Sequence, residues 1–248
     1  MANSYFQFKQ FTIHHDRCAM KVGTDGVLLG AWAPLDHPAR ILDVGTGSGV
    51  IALMLAQRFP AATVEGIDID ATAIAQAQEN IAASPYAAHC TARCSTLHSL
   101  IQQAGSATGV QNAPAPEELY DAVVCNPPFF EESLLPPDAR RRDARHTTSL
   151  PFPELAADSA RLLRPGGCFC VILPTTAFDA FHLLCFDHGL TLEARCDVKT
   201  TPQKPPKRTL ACFRKDTATT RRNDTLTLTE NGQRSSAYAA LTRDFYLW

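Results

Sequence analysis

Asp43-Val44-Gly45-Thr46-Gly47-Ser48-Gly49 joins a short apolar run, residues 40–44, to a helical pattern that begins at Val50. Glycine lets a backbone adopt positive φ and approach a ligand closely. In open α/β sheets, ligands bind beyond the carboxyl ends of the strands, where such turns lie. The stretch therefore predicts the first strand–helix turn of an α/β fold, with a ligand beside it.

Strand and helix patterns alternate on both sides of this turn. That alternation predicts βαβ units on a parallel sheet. Later strands at 190–198 and 209–213 are expected to form an antiparallel pair at one edge, and the stretch 105–118 is predicted to be a loop. The fold class is therefore α/β, a doubly wound, mostly parallel sheet with an antiparallel edge strand. The other strands are predicted at 63–68, 89–94, 120–125 and 168–173, and the other helices at 71–83, 97–104 and 153–164.

Length and composition exclude several classes of protein. The chain has 248 residues, 45% of them hydrophobic, and a formal net charge of -2, which fits one globular domain rather than a disordered chain. No segment approaches the roughly 20 apolar residues that span a bilayer, and the N-terminus has no apolar signal core, so we expect a cytoplasmic protein. The nine cysteines include no C-x-x-C pair, so no metal site is predicted.

The spacing around the glycines favours one cofactor. Position 50 is valine, where the dinucleotide fingerprint requires glycine. The Asp43 carboxylate would repel a pyrophosphate but attract the amino group of a methionine moiety, and Asp68 can accept the hydroxyls of a ribose. We therefore predict an S-adenosylmethionine site with Asp43, Gly45, Gly47 and Asp68, whereas Asp70 is expected to cap the following helix.

Asn126-Pro127-Pro128-Phe129 follows another buried strand at the same edge. An adenine amino group is a poor nucleophile because its lone pair is delocalised into the ring. The Asn126 side-chain oxygen and the Pro127 carbonyl could accept its two hydrogens and aim the lone pair at a methyl group. Phe129 offers a flat face on which a flipped base can stack. Asn126, Pro127 and Phe129 are therefore the predicted catalytic residues, for methylation of an amino nitrogen.

With these motifs the chain resembles the class I methyltransferases that act on planar amino nitrogens. The blocks 6–11, 18–30 and 241–247, with Tyr238, are similar to the bacterial tRNA1(Val) adenine-37 N6-methyltransferases over nearly the whole chain. The resemblance implies a Rossmann-like fold and a single methyltransferase domain, 1–248. Its parts would be an N-terminal covering segment (1–35), a core (36–215) and a C-terminal extension (216–248).

The same resemblance implies the substrate and two further site residues. Lys21 and Thr24 would lie over the methionine end of the cofactor, and Asn126 is assigned to the cofactor pocket as well as to catalysis. The substrate would be adenosine 37 in the anticodon loop of tRNA1(Val), bound by a monomer. The family's acidic residue after the third strand is missing, since residues 92–96 contain no carboxylate.

Clustered cations predict a surface that faces RNA. Residues 199–222 contain eight lysines and arginines against one acidic residue, and a second cluster is Arg140, Arg141, Arg142 and Arg145. Two alternatives to the tRNA substrate stay open, an amino group of a ribosomal RNA or DNA base and a glutamine amide of a protein. A more remote alternative is a nucleic-acid-binding protein without catalytic activity.

Overall fold

The computed structural model describes residues 3–108, 119–128, 150–217 and 220–247. Its strands are β1 (Tyr5–Gln7), β2 (Thr12–His14), β3 (Arg40–Val44), β4 (Thr63–Asp68), β5 (Cys90–Cys94), β6 (Tyr120–Cys125), β7 (Leu163–Pro174), β8 (Leu190–Lys199), β9 (Arg208–Lys215), β10 (Arg222–Thr227), β11 (Thr229–Glu230) and β12 (Gln233–Arg234). Its helices are α1 (Thr24–Trp32), α2 (Val50–Arg58), α3 (Ala71–Ala82), α4 (Leu97–Thr108), α5 (Phe152–Leu162), α6 (Phe178–Asp187) and α7 (Ser236–Thr242). A 3-10 turn, Thr175–Ala177, precedes α6.

One eight-stranded sheet organises the fold, in the order β10-β8-β9-β7-β6-β3-β4-β5. β9 runs antiparallel to both β7 and β8, and every other neighbouring pair is parallel. This arrangement confirms the predicted mostly parallel, doubly wound sheet with antiparallel pairing near one edge. β10, which the sequence analysis did not predict, forms the outermost strand beside β8.

The central strands are buried on both faces, as their continuous apolar runs require. All six residues of β6 are buried. On β3, Ile41 belongs to the core that contains Met54 of α2, whereas its neighbour Leu42 belongs to the core that contains Leu155 of α5. Because successive side chains of a strand point to opposite faces, the two cores lie on opposite sides of the sheet.

The two ends of the chain pack together on one face. Phe8 stacks on Phe11 at 4.7 Å and on Tyr246 at 6.1 Å between ring centroids, and the Lys9 amide donates to the carbonyl of Phe245 at 2.8 Å. All three rings are buried in the core that also contains α2. The β1–β2 hairpin is thus attached to the main body through the C-terminal segment. In the part of the chain that the structure describes, no helix is long and apolar enough to cross a membrane.

One predicted boundary was wrong. The loop expected from residue 105 begins later, because α4 continues to Thr108. Leu97, Leu100 and Ile101 are buried and anchor the helix on the core, so the helix continues past Gly105 although a glycine inside a helix costs about 1 kcal/mol. Residues 109–118 of that predicted loop lie outside the described residues.

Candidate active site

The carboxyl ends of three adjacent strands, β4, β3 and β6, bring the predicted site residues together. Val44, the last residue of β3, is paired with Ile67 on one side and with Cys125 on the other. Beyond these positions the chain continues into Asp68 from β4, the glycine loop from β3 and Asn126 from β6. Adjacent strands lie about 4.8 Å apart, so the three segments are direct neighbours.

The glycine loop has the backbone conformation that its sequence predicts. Gly45, Gly47 and Gly49 have φ values of 69°, 54° and 84°, in the left-handed region that favours glycine. A Cβ atom on Gly45 or Gly47 would meet no heavy atom within 4 Å, whereas one on Gly49 would lie 3.4 Å from the Cβ of Ala77. The first two glycines therefore border open space, and the third packs against α3.

Asp43 is fully buried beneath the glycine loop. Its Oδ2 accepts hydrogen bonds from Thr46 Oγ1 at 2.7 Å and from the Ala52 amide at 3.1 Å, which connects the loop to the first turn of α2. Its Oδ1 is buried and has no hydrogen-bond partner among the described residues. Burial raises the pKa of Asp43 to about 7. The side chain therefore fixes the loop with one oxygen, and its other oxygen has no hydrogen-bond partner among the described residues.

Asp68, at the end of β4, contacts the same loop. Its Oδ2 accepts from the Gly47 amide and its Oδ1 from the Asp70 amide, both at 3.0 Å. The Asp70 side chain accepts from the Thr72 amide at 2.8 Å at the start of α3, which confirms that Asp70 is a helix cap. Each carboxylate oxygen accepts more than one hydrogen bond, so Asp68 keeps capacity for a ligand.

Asn126 directly follows β6, and its Oδ1 atom is buried without a hydrogen-bond partner among the described residues. Pro127 is buried, and Pro128 is exposed. A buried unpaired acceptor costs about 1–3 kcal/mol, so this oxygen is an unfavourable feature until a donor reaches it. Phe129 and the arginines at 140, 141, 142 and 145 lie outside the described residues.

Thr24 and Lys21 lie near the start of α1, which packs against the start of α2. A Cβ atom on Gly26 would lie 3.6 Å from Val50, the first residue of α2 after the glycine loop. Thr24 is the first residue of α1, and Lys21 precedes it by three residues; both are exposed. The start of α1 therefore lies beside the start of α2, and the site roles of Thr24 and Lys21 stay predictions.

Two residues that the sequence analysis missed hold the N-terminal segment in place. Asn80 exchanges two hydrogen bonds with the backbone of His14, at 3.0 and 2.8 Å, and donates to the carbonyl of Ser48 in the glycine loop at 2.9 Å. Gln76 accepts from the Arg17 amide at 2.8 Å and donates to Asp16 at 3.1 Å. Both amides are buried and one helical turn apart on α3.

A sequence signal for this pair exists in retrospect. Positions 73, 74, 76, 77, 80 and 81 form the buried stripe of α3, with the helical spacing of three and four residues. Gln76 and Asn80 are the polar members of that stripe. Because buried polar side chains need hydrogen-bond partners, an amide at such a position indicates a backbone segment packed against the helix.

A thiol cluster lies away from this site, on β7, β8 and β9. Ligand atoms of Cys168, Glu193 and Cys212 lie within 4.8 Å of one another. Arg214 binds Glu193 at 2.7 and 2.8 Å, and a hydrogen bond with Cys212 together with burial raises the pKa of the Cys168 thiol. A metal ion would need thiolates and a carboxylate without a guanidinium partner, so we interpret the group as core thiols beside an ion pair.

Solved structures share this fold at low sequence identity. A crystal structure from Agrobacterium tumefaciens described as a predicted O-methyltransferase matches with a TM-score of 0.67 and 17% identity, over 89% of this chain and 96% of that one. A methyltransferase from Streptomyces caelestis matches with a TM-score of 0.53 and 14% identity, over 82% and 96% of the two chains. These likenesses confirm the class I methyltransferase fold.

Sequence relatives are much closer. The family model described as the methyltransferase small domain matches residues 22–177. A protein of Bacteroides fragilis named tRNA1(Val) (adenine(37)-N6)-methyltransferase is 43% identical over 100% of this chain and 99% of its own length. Proteins with the same name from Parabacteroides distasonis and Cronobacter sakazakii are 44% and 40% identical, over 100% and 98% of this chain and 99% and 95% of theirs. The chain therefore belongs to the family of the tRNA1(Val) (adenine(37)-N6)-methyltransferases.

Proposed function

We propose that this protein transfers a methyl group from S-adenosylmethionine to N6 of adenosine 37 in tRNA1(Val). The observation that carries the proposal is the buried, unpaired Oδ1 of Asn126, next to the left-handed glycine loop. The names of the full-length relatives supply the substrate, since each is named for this nucleotide of this tRNA.

The residues at the strand ends fit the cofactor. S-adenosylmethionine supplies an electrophilic methyl group on a sulfonium and carries a cationic amino group. Asp43 offers that amino group an unpaired buried oxygen, and the open space beside Gly45 and Gly47 allows a close approach to the backbone. Asp68 would accept the ribose hydroxyls, as acidic residues at this position of doubly wound sheets do. Lys21, Thr24 and Asn126 complete the proposed cofactor-binding set.

Asn126 and Pro127 would prepare the target amino group for attack. The Asn126 Oδ1 and the Pro127 carbonyl accept its two hydrogens, which turns the nitrogen towards a tetrahedral form with its lone pair directed at the methyl group. The two prolines fix φ near -65°, so both acceptors are in position beforehand. As the nitrogen forms its bond to the methyl carbon, the bond between that carbon and the sulfonium sulfur would break, with S-adenosylhomocysteine as the leaving group. The nitrogen becomes acidic as its new bond forms, and it would then lose one proton to water. Phe129, outside the described residues, is proposed to stack on the base.

The division of the chain follows the same proposal. Residues 1–35 would cover the cofactor, 36–215 would form the core and 216–248 the C-terminal extension of one methyltransferase domain. The contacts of Gln76 and Asn80 with residues 14–17 support the covering role, because they fix that segment beside the glycine loop. The cytoplasmic location and the monomeric state stay predictions.

The experiment offers the purified protein four substrates with methyl-labelled S-adenosylmethionine: bulk tRNA, ribosomal RNA, DNA and protein. The proposal predicts label in tRNA, recovered after nuclease digestion as N6-methyladenosine at position 37 of tRNA1(Val). Label confined to ribosomal RNA or DNA, or found in a glutamine of a protein, would replace this substrate by one of the alternatives. Cofactor binding without transfer to any of the four would contradict the enzymatic assignment.

A further inference from the structure

The six lysines of the chain fall into two groups. Lys9, Lys199 and Lys215 each donate to a backbone carbonyl. The side chains of Lys21, Lys204 and Lys207 make neither a hydrogen bond nor an ion pair within the described ranges 3–108, 119–128, 150–217 and 220–247. Many described arginines, in contrast, have carboxylate partners. These are Arg17, Arg93, Arg161, Arg164, Arg195, Arg208, Arg214 and Arg243.

Lys204 and Lys207 lie in the connection between β8 and β9, residues 200–207, which we call the basic hairpin. It lies at the carboxyl edge of the sheet, because the Lys207 amide donates to Val198 at 3.0 Å and the Lys207 carbonyl accepts from Thr175, just beyond β7, at 3.3 Å. β9 is separated from β6 by β7 alone. At about 4.8 Å per strand, β9 lies about 10 Å from β6 across the sheet. The hairpin begins three residues beyond the level of the β6 end, because Cys125 is opposite Val171 and Arg208 is opposite Pro174.

The basic hairpin is also rigid. Prolines at 202, 205 and 206 restrict its backbone, and the Lys204 amide closes a turn onto the carbonyl of Thr201 at 3.2 Å. The amide of Thr229 donates to the carbonyl of Thr200 at 3.0 Å and holds the hairpin from the other side. Both unpaired lysines are exposed. Charges held on an ordered backbone lose less conformational entropy when a partner binds.

The side chains of the hairpin indicate what kind of partner it binds. A lysine ammonium is a compact charge that suits a phosphate and reads no base sequence. Residues 200–207 contain no aromatic side chain on which a base could stack and no acidic residue. This chemistry suits the backbone of a nucleic acid rather than its bases.

We propose that the basic hairpin, through Lys204 and Lys207, binds phosphates of the tRNA and holds the target loop over Asn126. The proposal rests on the proposed function, which supplies the RNA. The hairpin positions the RNA, and selection of the base remains with the residues that follow β6. Arg208 is not part of this surface, because its Nε is paired with Asp25 at 2.7 Å.

The test compares two variants that each lose two positive charges. Lys204→Ala/Lys207→Ala removes the proposed phosphate contacts. Lys9→Ala/Arg243→Ala is the matched control, because these residues lie where the chain termini pack together, and Lys9 donates to the backbone carbonyl of residue 243. The dissociation constant of each protein for a fluorescent tRNA1(Val) transcript is measured at several salt concentrations between about 50 and 300 mM. Thermal melting verifies that both variants are folded.

The slope of log Kd against log salt should be smaller by about 1.4 to 1.8 in the hairpin variant. Each lost phosphate contact removes about 0.7 to 0.9 from that slope. The methylated nucleotide should not change, and the control should keep the parent slope. A parent-like slope in the hairpin variant, or an equal loss in the control, would overturn the docking surface. Methyl transfer by the parent to the same transcript is measured separately, so a failure of the proposed function is recognised independently of the slopes.

Discussion

The two ends of β6 carry polar side chains with opposite environments. At its start, Asp121 is buried and its carboxylate has both polar and charged partners. Its Oδ2 accepts from the amides of Ala39 and Arg40, each at 2.7 Å, and its Oδ1, which makes no hydrogen bond among the described residues, forms an ion pair with Arg164. Just beyond its other end, the Oδ1 of Asn126 is buried without a partner among the described residues. The strand thus has a carboxylate with an ion pair and two amide donors at one end, and an amide oxygen without a described partner beyond the other.

We interpret this difference as the one between a structural group and a group proposed to bind a ligand. A buried acceptor with partners stabilises the fold, whereas one without partners destabilises it by about 1–3 kcal/mol. Asp43 Oδ1 and Asn126 Oδ1 both lie at adjacent strand ends without a hydrogen-bond partner among the described residues. Lys204 and Lys207 repeat the contrast on the surface, since no described carboxylate pairs with them as Asp121 does with Arg164. In the described part of the chain, these four polar groups lie open at or near the carboxyl edge of the sheet.

The largest effect is expected from replacing Asn126. Asn126→Ala removes the proposed acceptor for the amino group, and its turnover at saturating RNA and cofactor should fall about 100-fold or more, as when one preorganised polar contact is lost. The melting temperature should stay at or above that of the parent, because an unpaired buried atom disappears. Parent-like turnover would remove Asn126 from the mechanism.

Asp121→Ala is the matched control at the opposite end of the strand. It leaves the amides of Ala39 and Arg40, and the side chain of Arg164, without their acceptor, so the free energy of unfolding should fall by about 1–3 kcal/mol. Turnover of the folded fraction should remain close to that of the parent. The comparison between the two ends would fail if Asp121→Ala lost turnover as strongly as Asn126→Ala.

A smaller effect is expected at the neighbouring strand end. Asp68→Ala should weaken S-adenosylmethionine binding by about 1–3 kcal/mol in calorimetry, because the ribose hydroxyls lose a charged acceptor. Asp70→Ala is its control, with the same loss of charge two residues later. It should lower stability by about 0.5–2 kcal/mol through the lost helix cap and leave cofactor affinity unchanged. Equal affinities for the parent and a folded Asp68→Ala would contradict the ribose assignment.

The last effect concerns the pH dependence of stability through Asp43. Its pKa is about 7 in the folded protein against an ordinary value of 3.8, so the folded state binds this proton more tightly. The penalty for ionising Asp43 therefore grows as the pH rises from about 4 and is complete above about 7. Asp43→Asn avoids it, and its melting temperature relative to the parent should rise by roughly 5–10 °C between pH 5 and pH 8, at about 1.4 kcal/mol per pH unit below the pKa and about 2–4 °C per kcal/mol.

Two results at Asp43 sharpen this prediction. Added S-adenosylmethionine should stabilise the parent more than Asp43→Asn at pH 8, because the cationic amino group meets a carboxylate in one and a neutral amide in the other. A difference in melting temperature that is identical at pH 5 and pH 8 would show that the carboxyl group does not titrate in this range.

Those parts of the candidate site that depend on residue type and on short sequence patterns could be predicted from the sequence. Glycines that need positive φ and strands that end at Val44, Asp68 and Cys125 are visible as residue types and apolar runs. Their meeting follows from the parallel sheet, because the carboxyl ends of parallel strands share one edge. The proximity of Asp68 to the glycine loop could therefore be predicted without a structure.

Features that depend on distant backbone were not predictable in this way. β10 has four exposed residues at its start. It forms a strand because it pairs with the edge of β8, and its sequence has no apolar pattern that would predict one. Asn80 and Gln76 bind main-chain atoms more than 55 residues earlier. The second contact of Asp43, with the Ala52 amide, likewise appears only when α2 is placed against the loop.

The most direct test of the account measures whether Asn126 and the target amino group interact. Two anticodon stem–loop RNAs are compared, with adenosine or with purine riboside, which lacks the amino group, at position 37. Their affinities for the parent and for Asn126→Ala are measured with S-adenosylhomocysteine present. The account predicts that loss of the amino group weakens binding to the parent about fivefold more than binding to Asn126→Ala, a coupling of about 1 kcal/mol. The same affinity ratio in both proteins would contradict it.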